Sequence, residues 1–334
     1  MTTTESGKNF QPTVLVTGAC GFIGSHLCEH YLRKNFRVIG VDNFCTAYRM
    51  NLDFLQALPE AEKNFHFIES DVSKSWNFSK TISEDWKTSL KYVFHFASPA
   101  SPPLYQKLAL ETMEVNTTGL KHALEFADQN NSRVIFASTS EIYGDPLMHP
   151  QKEDYWGNVN TLGPRSCYDE SKRFGESLIY TWNLIHKTSH GLVRIFNTYG
   201  PGMNPTDGRV IVNFLNQAHK KEELTLYGDG NQTRSFCYIS DLIEGITRYA
   251  DLKNYIDVVN LGNPVEYTVN ELAETVCRLF PGTKISPKKT PMPINDPVKR
   301  RPDITRAQQL MNWHTKVSLE EGLVKMYAWL ENGN

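Results

Sequence analysis

A tyrosine and a lysine four positions apart carry the clearest chemical signal in this sequence. Tyr168 and Lys172 are one helical turn apart, so both side chains would lie on one face of a helix. An ammonium beside a phenol favours the phenolate and lowers the pKa of the phenol, which lets the tyrosine act as a general base. Such a pair is also common by chance on exposed helices. Its context favours chemistry, because the run Ala137-Ser138-Thr139 ends a predicted strand and would bring both hydroxyls beside a cofactor.

A glycine turn near the amino terminus supplies the second signal. Gly18-x-x-Gly21-x-x-Gly24 follows a predicted strand and leads into a predicted helix over 25–33, so a pyrophosphate would bind at the start of that helix. Asp42 follows 18 residues after Gly24, where a carboxylate accepts hydrogen bonds from a ribose and repels a 2′-phosphate. The pattern favours NAD over NADP and predicts an enzyme that transfers a hydride to a nicotinamide.

The elements that must position these residues alternate between short apolar runs and longer helical patterns. The predicted strands lie at 14–16, 38–41, 66–68, 92–96, 134–136 and 192–195. This spacing predicts an α/β fold with a Rossmann-type, doubly wound parallel sheet. After about residue 196 the pattern breaks into Gly/Pro-rich turns. We therefore predict a NAD-binding domain over 1–195, with part of 235–265 returning to it, and a smaller C-terminal substrate-binding lobe over 196–334.

Composition and charge exclude several other classes of protein. The 334-residue chain has a net charge of −2, so charge gives no reason to expect binding to nucleic acid or to an anionic membrane. The longest apolar runs are too short to span a bilayer. Six scattered cysteines form no C-x-x-C pair, and no clustered histidines suggest a metal site. The expected location is the reducing cytoplasm.

Several longer motifs resemble the UDP-glucuronate decarboxylases, a family of extended short-chain dehydrogenase/reductases. The residues that carry the resemblance are 17–24, 42–44, 95–103, 138–146, 168–173, 194–201, 207–210, 232–236 and 299–303. The resemblance implies NAD as cofactor, UDP-glucuronate or a related nucleotide sugar as substrate, and a homodimer. It implies oxidation at C4 of the sugar, loss of carbon dioxide from the 4-keto acid, and reduction by the same cofactor to UDP-xylose.

The resemblance also implies a role for each site residue. Tyr168 is the base, Thr139 holds the C4 oxygen with it, and Lys172 binds the nicotinamide ribose. Glu141 and Arg300 would lie nearest C5 and the departing carboxylate, and Ser140 is a further catalytic candidate. The implied cofactor contacts are Gly18, Gly21, Phe22, Ile23, Gly24, Asp42, Asn43, Asp71, Val72, Ala97, Tyr168 and Lys172. The implied substrate contacts are Tyr105, Asn197, Arg209, Val210, Tyr227, Arg234 and Arg300, with Arg234 and either Arg300 or Arg301 on the phosphates.

Glu141 separates the chemistries that resemble this one. Sugar 4,6-dehydratases carry an Asp-Glu pair after Ser-Thr, whereas this chain has Ser140-Glu141, and one carboxylate beside a hydroxyl cannot serve as both acid and base. The 4-epimerases usually have a small residue in place of the glutamate. A structural ion pair between Glu141 and an arginine is the alternative to a chemical role.

Three departures from the family pattern concern the substrate side. Gly202 stands where the family usually has arginine, Ala47 where it has glycine, and Ser171 where it has glycine. The missing arginine leaves open whether the hexuronate is glucuronate or a close relative, and none of the three changes touches the implied chemistry. Two other functions also stay open: a nucleotide-sugar 4-epimerase or other oxidoreductase of the same fold, and a non-enzymatic NAD sensor, which the intact Tyr-x-x-x-Lys pair disfavours.

A predicted helical stretch from about 106 to 129, together with the helix that bears Tyr168, resembles the dimer seam of the family. The candidate contacts are Leu108, Leu110, Met113, Leu120 and Leu124. Packing of these residues on the chain's own sheet is the alternative.

Overall fold

A parallel sheet of seven strands forms the centre of the molecule. The computed structural model describes residues 11–253, 255, 257–286 and 299–332. The strands of the described residues, in the large sheet and outside it, are β1 (Thr13–Thr17), β2 (Arg37–Asp42), β3 (Phe65–Glu69), β4 (Leu90–His95), β5 (Arg133–Thr139), β6 (Gly191–Ile195), β7 (Thr198–Tyr199), β8 (Thr233–Ser235), β9 (Cys237–Tyr238), β10 (Val259–Leu261) and β11 (Glu266–Thr268). The order across the large sheet is β10-β6-β5-β4-β1-β2-β3, with every neighbouring pair parallel.

Helices cover both faces of this sheet. They are α1 (Phe22–Arg33), α2 (Arg49–Gln56), α3 (Ala61–Asn64), α4 (Glu84–Thr88), α5 (Pro102–Lys107), α6 (Ala109–Glu114), α7 (Leu120–Gln129), α8 (Ser166–His186), α9 (Val210–His219), α10 (Ile239–Ala250), α11 (Val269–Leu279), α12 (Thr305–Met311) and α13 (Leu319–Glu331). All five residues of β1 are buried, as expected for a parallel strand covered on both faces. Among the described helices, none is long and apolar enough to cross a membrane.

The direction of chain progression changes at β1. The chain runs from β1 to β2 and β3 on one side, then crosses to β4 and continues outward on the other. Ligands of open α/β sheets bind in the crevice that such a switch leaves at the carboxyl ends of the strands. The predicted Rossmann-type, doubly wound sheet is therefore confirmed, and its switch point lies where the glycine turn follows β1.

The C-terminal part contributes both to the large sheet and to structure outside it. β10 pairs with β6 at the sheet edge, so a segment within the predicted range 235–265 does reach the large sheet. Two small sheets, β7 with β9 and β8 with β11, lie outside it. The proposed division of the chain at 195 and 196 stays a prediction.

The predicted helical stretch over 106–129 differs from the structure. The helical segment begins earlier, at Pro102, and divides into α5, α6, a π-helical turn over Val115–Gly119, and α7. Leu120 and Leu124 are fully buried in the core beside the sheet, so their proposal as dimer contacts is wrong. Leu110 and Met113 are 73% and 42% exposed and stay available to a partner.

Candidate active site

The glycine turn forms a cradle of backbone N–H groups. Gly18 has a φ of +71°, a conformation that favours glycine, and a Cβ on Gly24 would lie 1.9 Å from the Gly18 carbonyl oxygen. Gly21 precedes α1 without any side-chain cap, and the first N–H groups of a helix have no acceptor within the helix. The turn can therefore approach an anionic group closely and donate to it.

Asp42 ends β2 beside this turn and is held by the backbone. Its carboxylate accepts hydrogen bonds from the N–H groups of Cys20 (2.9 Å) and Phe44 (2.8 Å). Burial raises the pKa of Asp42 and these backbone bonds oppose the rise. The carboxylate thus ties the end of β2 to the glycine turn, and its predicted bond to a ribose stays a prediction.

The other predicted cofactor contacts near Asp42 close turns at strand ends. Asn43 accepts from the Cys45 N–H at 3.1 Å, and Asp71 accepts from the Ser73 N–H at 2.9 Å. The Ala97 N–H donates to Thr17 Oγ1 at 3.2 Å. Within the described chain, the residues lining the main cavity do not include Asp42, Asn43, Asp71, Val72 or Ala97.

The main cavity has a volume of about 750 Å³ and opens at the carboxyl ends of the strands. It brings together most of the residues that the sequence pattern selects. Those on its wall are Gly18, Gly21, Phe22, Ile23, Gly24, Thr139, Ser140, Glu141, Tyr168, Lys172, Asn197, Arg209, Val210, Tyr227, Arg234 and Arg300. Both the glycine turn and the Tyr168 region thus border one space, as a reaction between a dinucleotide and a second ligand requires.

Tyr168 and Lys172 lie on one face of α8, as predicted. Tyr168 is 6% exposed and its hydroxyl is hydrogen-bonded to the Thr139 side chain. The Lys172 Nζ donates to the Ala137 carbonyl oxygen at 2.8 Å and lies 5.6 Å from the centre of the Tyr168 ring. Tyr168 and Thr139 are therefore in contact through their hydroxyl groups, and the Lys172 ammonium lies near the Tyr168 ring.

The charge balance at Tyr168 differs from the sequence prediction. Burial raises the pKa of Tyr168, and the negative charge of Glu141 adds to the rise. Burial also lowers the pKa of Lys172 to about 7, so part of its positive charge is lost near neutral pH. The predicted lowering of the phenol pKa by Lys172 is therefore not seen in this structure: burial and the charge of Glu141 raise the pKa of Tyr168, and the positive charge that opposes the rise is that of Arg209.

Glu141 lies in a short 3-10 turn directly after β5 and forms two buried ion pairs. Its carboxylate accepts from the guanidinium groups of Arg165 and Arg300. Burial alone would raise the pKa of Glu141, but the charges of Arg300 and Arg165 prevail and lower it to about 2. Glu141 is therefore ionised, and the proposed structural ion pair is real, with two arginines rather than one.

Arg165 is a residue that sequence reasoning missed. It precedes the first residue of α8, is 7% exposed, and lines the cavity next to Glu141. No motif in the sequence marks it. Its place three residues before Tyr168 is the one signal that could have drawn attention to it.

Tyr105 packs against the ring of Tyr168. The two rings stack with centroids 4.9 Å apart and planes 6° apart. Tyr105 is fully buried, and its hydroxyl has no hydrogen-bond partner among the described residues. It does not line the cavity, so the sequence prediction of direct substrate contact has no support in this geometry.

The Ser138 hydroxyl is turned away from the catalytic pair. It donates to Glu176 at 2.5 Å, and Glu176 in turn forms an ion pair with Arg194 at 2.8 Å. Ser138 lines the cavity at the carboxyl end of β5, as expected, but its hydroxyl is committed to Glu176, and its place beside a cofactor stays a prediction. Both hydroxyls therefore reach α8, Thr139 at Tyr168 and Ser138 at Glu176.

The predicted phosphate arginines have different environments. Arg234 is 8% exposed and donates to the Thr233 carbonyl oxygen at 2.8 Å, while Arg209 forms an ion pair with Asp207 at 2.5 Å. Arg300 is committed through Nη1 to Glu141, which weighs against a phosphate role. Arg301 is not among the described residues that line the cavity.

The unusual Gly202 belongs to a link between the two sides of the cavity. Its φ is +82°, and its carbonyl oxygen accepts from Asn51 Nδ2 at 3.0 Å. The same Nδ2 donates to the Cys20 carbonyl oxygen in the glycine turn, also at 3.0 Å. Asn51 thus ties the cofactor-side turn to the loop where the family usually has arginine. Among the described residues, no group of three His, Cys, Asp or Glu could hold a metal ion.

Together, a glycine turn at the switch point of a doubly wound sheet and a Tyr–Thr–Lys group in the adjoining cavity define a class: Rossmann-type enzymes that act on a second ligand beside a dinucleotide. The model of the NAD dependent epimerase/dehydratase family matches residues 14–262. The chain belongs to this family.

Within the family, the chain is similar to UDP-glucuronic acid decarboxylases. It is 43% identical to UDP-glucuronic acid decarboxylase 6 of Arabidopsis thaliana, over 96% of the chain and 90% of that relative. It is 41% identical to UDP-glucuronic acid decarboxylase 1 of Danio rerio, over 93% of the chain and 71% of that relative.

Solved structures of sugar nucleotide epimerases share the fold. UDP-glucose 4-epimerase of Thermotoga maritima, with UDP-glucose, superposes with a TM-score of 0.85 at 26% identity, over 96% of this chain and 99% of that one. UDP-glucuronic acid 4-epimerase of Bacillus cereus, in complex with UDP-glucuronic acid and NAD, superposes with a TM-score of 0.82 at 27% identity, over 96% and 100%.

Proposed function

We propose that this protein converts UDP-glucuronate to UDP-xylose and carbon dioxide, with NAD oxidising and then reducing the sugar at C4. The observation that carries the proposal is the ionised Glu141 between Arg165 and Arg300, bordering the same cavity as Tyr168 and Thr139. The relatives at 41–43% identity that are named decarboxylases support the same assignment.

The residues of the glycine turn fit NAD. The close approach that Gly18 and Gly24 permit, and the free N–H groups at the start of α1, suit a pyrophosphate. Bound NAD supplies the acceptor and the later donor of the hydride at C4. Lys172 Nζ, buried in the cavity wall, would donate to the nicotinamide ribose.

Tyr168 and Thr139 handle the C4 oxygen. Thr139 holds this oxygen in hydrogen-bond reach of Tyr168, which removes the hydroxyl proton as the hydride leaves. Because burial raises the pKa of Tyr168, the phenol can serve as base only with positive charge close by. Arg209, whose charge lowers the pKa of Tyr168, supplies part of that charge, and Lys172 and the positive ring of the bound cofactor would supply the rest.

Loss of carbon dioxide follows from the ketone. The sugar carboxylate is then β to a carbonyl group, so the electrons of the breaking bond flow towards the C4 oxygen. Tyr168 and Thr139 donate to this oxygen and stabilise the enolate. Arg300 has an Nη2 without a hydrogen-bond partner among the described residues, so it can still bind the substrate carboxylate. Glu141 would orient Arg300 through their ion pair.

The decisive experiment is NMR of the product formed from UDP-glucuronate with catalytic NAD. We expect UDP-xylose, one carbon dioxide for each substrate and no net NADH. UDP-galacturonate without carbon dioxide would make the protein a 4-epimerase instead. A free 4-keto pentose product with stoichiometric NADH would make it an oxidative decarboxylase.

We also propose a homodimer that forms through α6 and α8. These helices contact each other and carry exposed apolar side chains: Leu110, Met113, Phe174, Tyr180 and Leu184. Leu110→Asp should shift light scattering at micromolar concentration from dimer to monomer. Val324→Asp, at a 48% exposed position on α13, is the control and should stay dimeric. A wild-type monomer would contradict the proposal.

A cytoplasmic location is the last part of the proposal. All six cysteines are free thiols, which suits a reducing compartment. Microscopy of the tagged full-length chain should show diffuse cytoplasmic signal, and signal confined to an organelle would contradict it.

A further inference from the structure

The proposed decarboxylation needs a proton that the hydride steps do not supply. The C5–carboxyl bond breaks, its electron pair enters the C4 carbonyl, and carbon dioxide leaves. The pair then returns to C5, which must take up one proton. The proton that Tyr168 removes from the C4 hydroxyl is needed again at the C4 oxygen when the ketone is reduced. A second proton store is therefore required, and this inference rests on the proposed function.

Glu141 is a poor store by itself. Its carboxylate is paired with both Arg165 and Arg300, and the charges of these arginines hold its pKa at about 2, so it carries no proton near neutral pH. Lys172 donates to the Ala137 carbonyl oxygen and packs over the rings of Phe136 and Tyr168, away from the Glu141 ion pairs. A proton for C5 has to come from the Glu141 side of the cavity.

Asp169 is a buried carboxyl on that side which the proposed mechanism does not use. It follows Tyr168 in the first turn of α8 and is 6% exposed. Its Oδ1 is buried and has no hydrogen-bond partner among the described residues. A buried carboxylate that meets no donor at one of its oxygens is strongly disfavoured, whereas a neutral carboxyl is tolerated.

The charges around Asp169 explain its state. Burial raises its pKa, the negative charge of Glu141 adds to the rise, and the pKa reaches about 8 although Arg165 and Arg300 oppose it. The charged and titratable groups that interact with Asp169 are Glu141, Arg165, Arg300, Glu170, Tyr105, Cys167 and Tyr168. Near neutral pH the carboxyl therefore keeps its proton next to an ionised Glu141.

We propose that Asp169, whose buried Oδ1 has no hydrogen-bond partner among the described residues, is the proton store for C5 and passes its proton through the Glu141 carboxylate into the cavity. Asp169 does not line the cavity, so it acts through Glu141 and not on the sugar. The Asp169 proton moves first to the Glu141 carboxylate, and Glu141 then delivers that same proton to C5. Asp169 is left as a carboxylate and regains a proton from solvent after the product forms.

Asp169→Asn tests this role, because an amide matches a neutral carboxyl in size but has no acidic proton. In single-turnover mixing with UDP-glucuronate, we expect carbon dioxide release and the rise of NADH absorbance to be retained. The later decay of that absorbance should slow roughly 100-fold, since reduction at C4 has to wait for protonation at C5. Glu170→Gln is the matched control: this neighbour pairs with Arg173 at 3.6 Å, and its loss should leave the decay unchanged.

The thermal stability of the same variant separates a proton store from a structural ion pair. A carboxyl with a raised pKa stabilises the fold fully below its unfolded pKa of about 4, and this contribution is lost as the pH rises through about 8. Asn cannot ionise, so the Tm of Asp169→Asn at pH 7 should equal or exceed that of wild type. An ionised Asp169 that held Arg165 would instead give a lower Tm.

The pH profile supplies the third readout. In wild type, the NADH decay rate should fall as the pH rises through about 8, and Asp169→Asn should lack this fall. If Asp169→Asn has the wild-type decay rate, has a lower Tm or fails to fold, the inference is overturned but the proposed function is not. Wild type that releases no carbon dioxide would overturn the proposed function, and the inference with it.

Discussion

The two sides of the cavity hold charge in different ways. On the cofactor side, the glycine turn offers backbone N–H groups at the start of α1, and its shape depends on close approach between Gly18 and Gly24, six positions apart. On the sugar side, Glu141, Arg165 and Arg300 come from three separate segments and form buried ion pairs. The charge on the cofactor side is therefore set by the local backbone, and the charge on the sugar side is set by the assembled fold.

This difference has consequences for pH. Backbone N–H groups do not titrate, so the cofactor side should bind an anion over a broad pH range. The sugar side combines Glu141, with a pKa of about 2, and Asp169, with a pKa of about 8, within one cluster. Pairs of acids whose environments push their pKa values apart are typical of acid–base catalysis.

The largest expected effect concerns Tyr168, where the two sides meet. Tyr168→Phe keeps the ring that stacks on Tyr105 but removes the hydroxyl bonded to Thr139. Turnover should fall roughly 100-fold or more while NAD affinity, measured by fluorescence titration, stays within about twofold. Near-normal turnover would rule out Tyr168 as the base.

Replacement of Glu141 tests whether the sugar side acts separately from the hydride step. Glu141→Gln keeps the shape but leaves Arg165 and Arg300 without their shared carboxylate. The rate of carbon dioxide release should fall by a factor on the order of tens, and the rate of NADH formation in single-turnover mixing should fall much less. Equal losses in both measurements would place Glu141 at or before hydride transfer. Because a buried charge is removed, the Tm should be measured beside the rates.

Two alanine variants test the claim that the cofactor side is backbone-built. A Cβ on Gly24 would lie 1.9 Å from the Gly18 carbonyl oxygen, whereas a Cβ on Gly21 would lie 3.1 Å from it. Gly24→Ala should weaken NAD binding roughly tenfold, because the turn has to shift, and Gly21→Ala, the matched control, should have the smaller effect. Equal affinities for the two variants, measured by calorimetry, would contradict a cradle shaped by close approach.

The smallest expected effect concerns the link between the sides. Asn51→Ala removes the bonds to the carbonyl oxygens of Cys20 and Gly202, at a cost of roughly 1 kcal/mol in the free energy of unfolding. It should also weaken the effect of UDP on NAD affinity, since the link joins the two binding regions. Asn64→Ala is the control for urea unfolding and for ligand titrations, because it also removes two side-chain hydrogen bonds, with Gln11 and Asn35, but at a residue that does not line the cavity. Unchanged coupling between NAD and UDP would show that Asn51 is only structural.

Much of the fold could be predicted because its signals are local. Five of the six predicted strand runs fall within strands of the sheet, and the sixth, 92–96, extends one residue beyond β4; the glycine turn lies where β1 leads into α1. Tyr168 and Lys172 share a face of α8 because the period of a helix sets that geometry. By contrast, Leu120 and Leu124 have the same apolar character as Leu110, and only the packing of α7 on the sheet buries them.

The sequence by itself determined the sheet, the glycine turn and the catalytic Tyr–Thr–Lys group, because strand alternation, helix period and turn glycines act over a few residues. Only the tertiary structure decided the pKa values of the buried acidic groups in the cavity wall and around it. Glu141 meets Arg165 across 24 positions and Arg300 across 159, and no spacing rule connects them. The lowered pKa of Glu141 and the raised pKa values of Tyr168 and Asp169 all depend on burial and on these distant partners, because the free energy of a charge is set by everything that surrounds it.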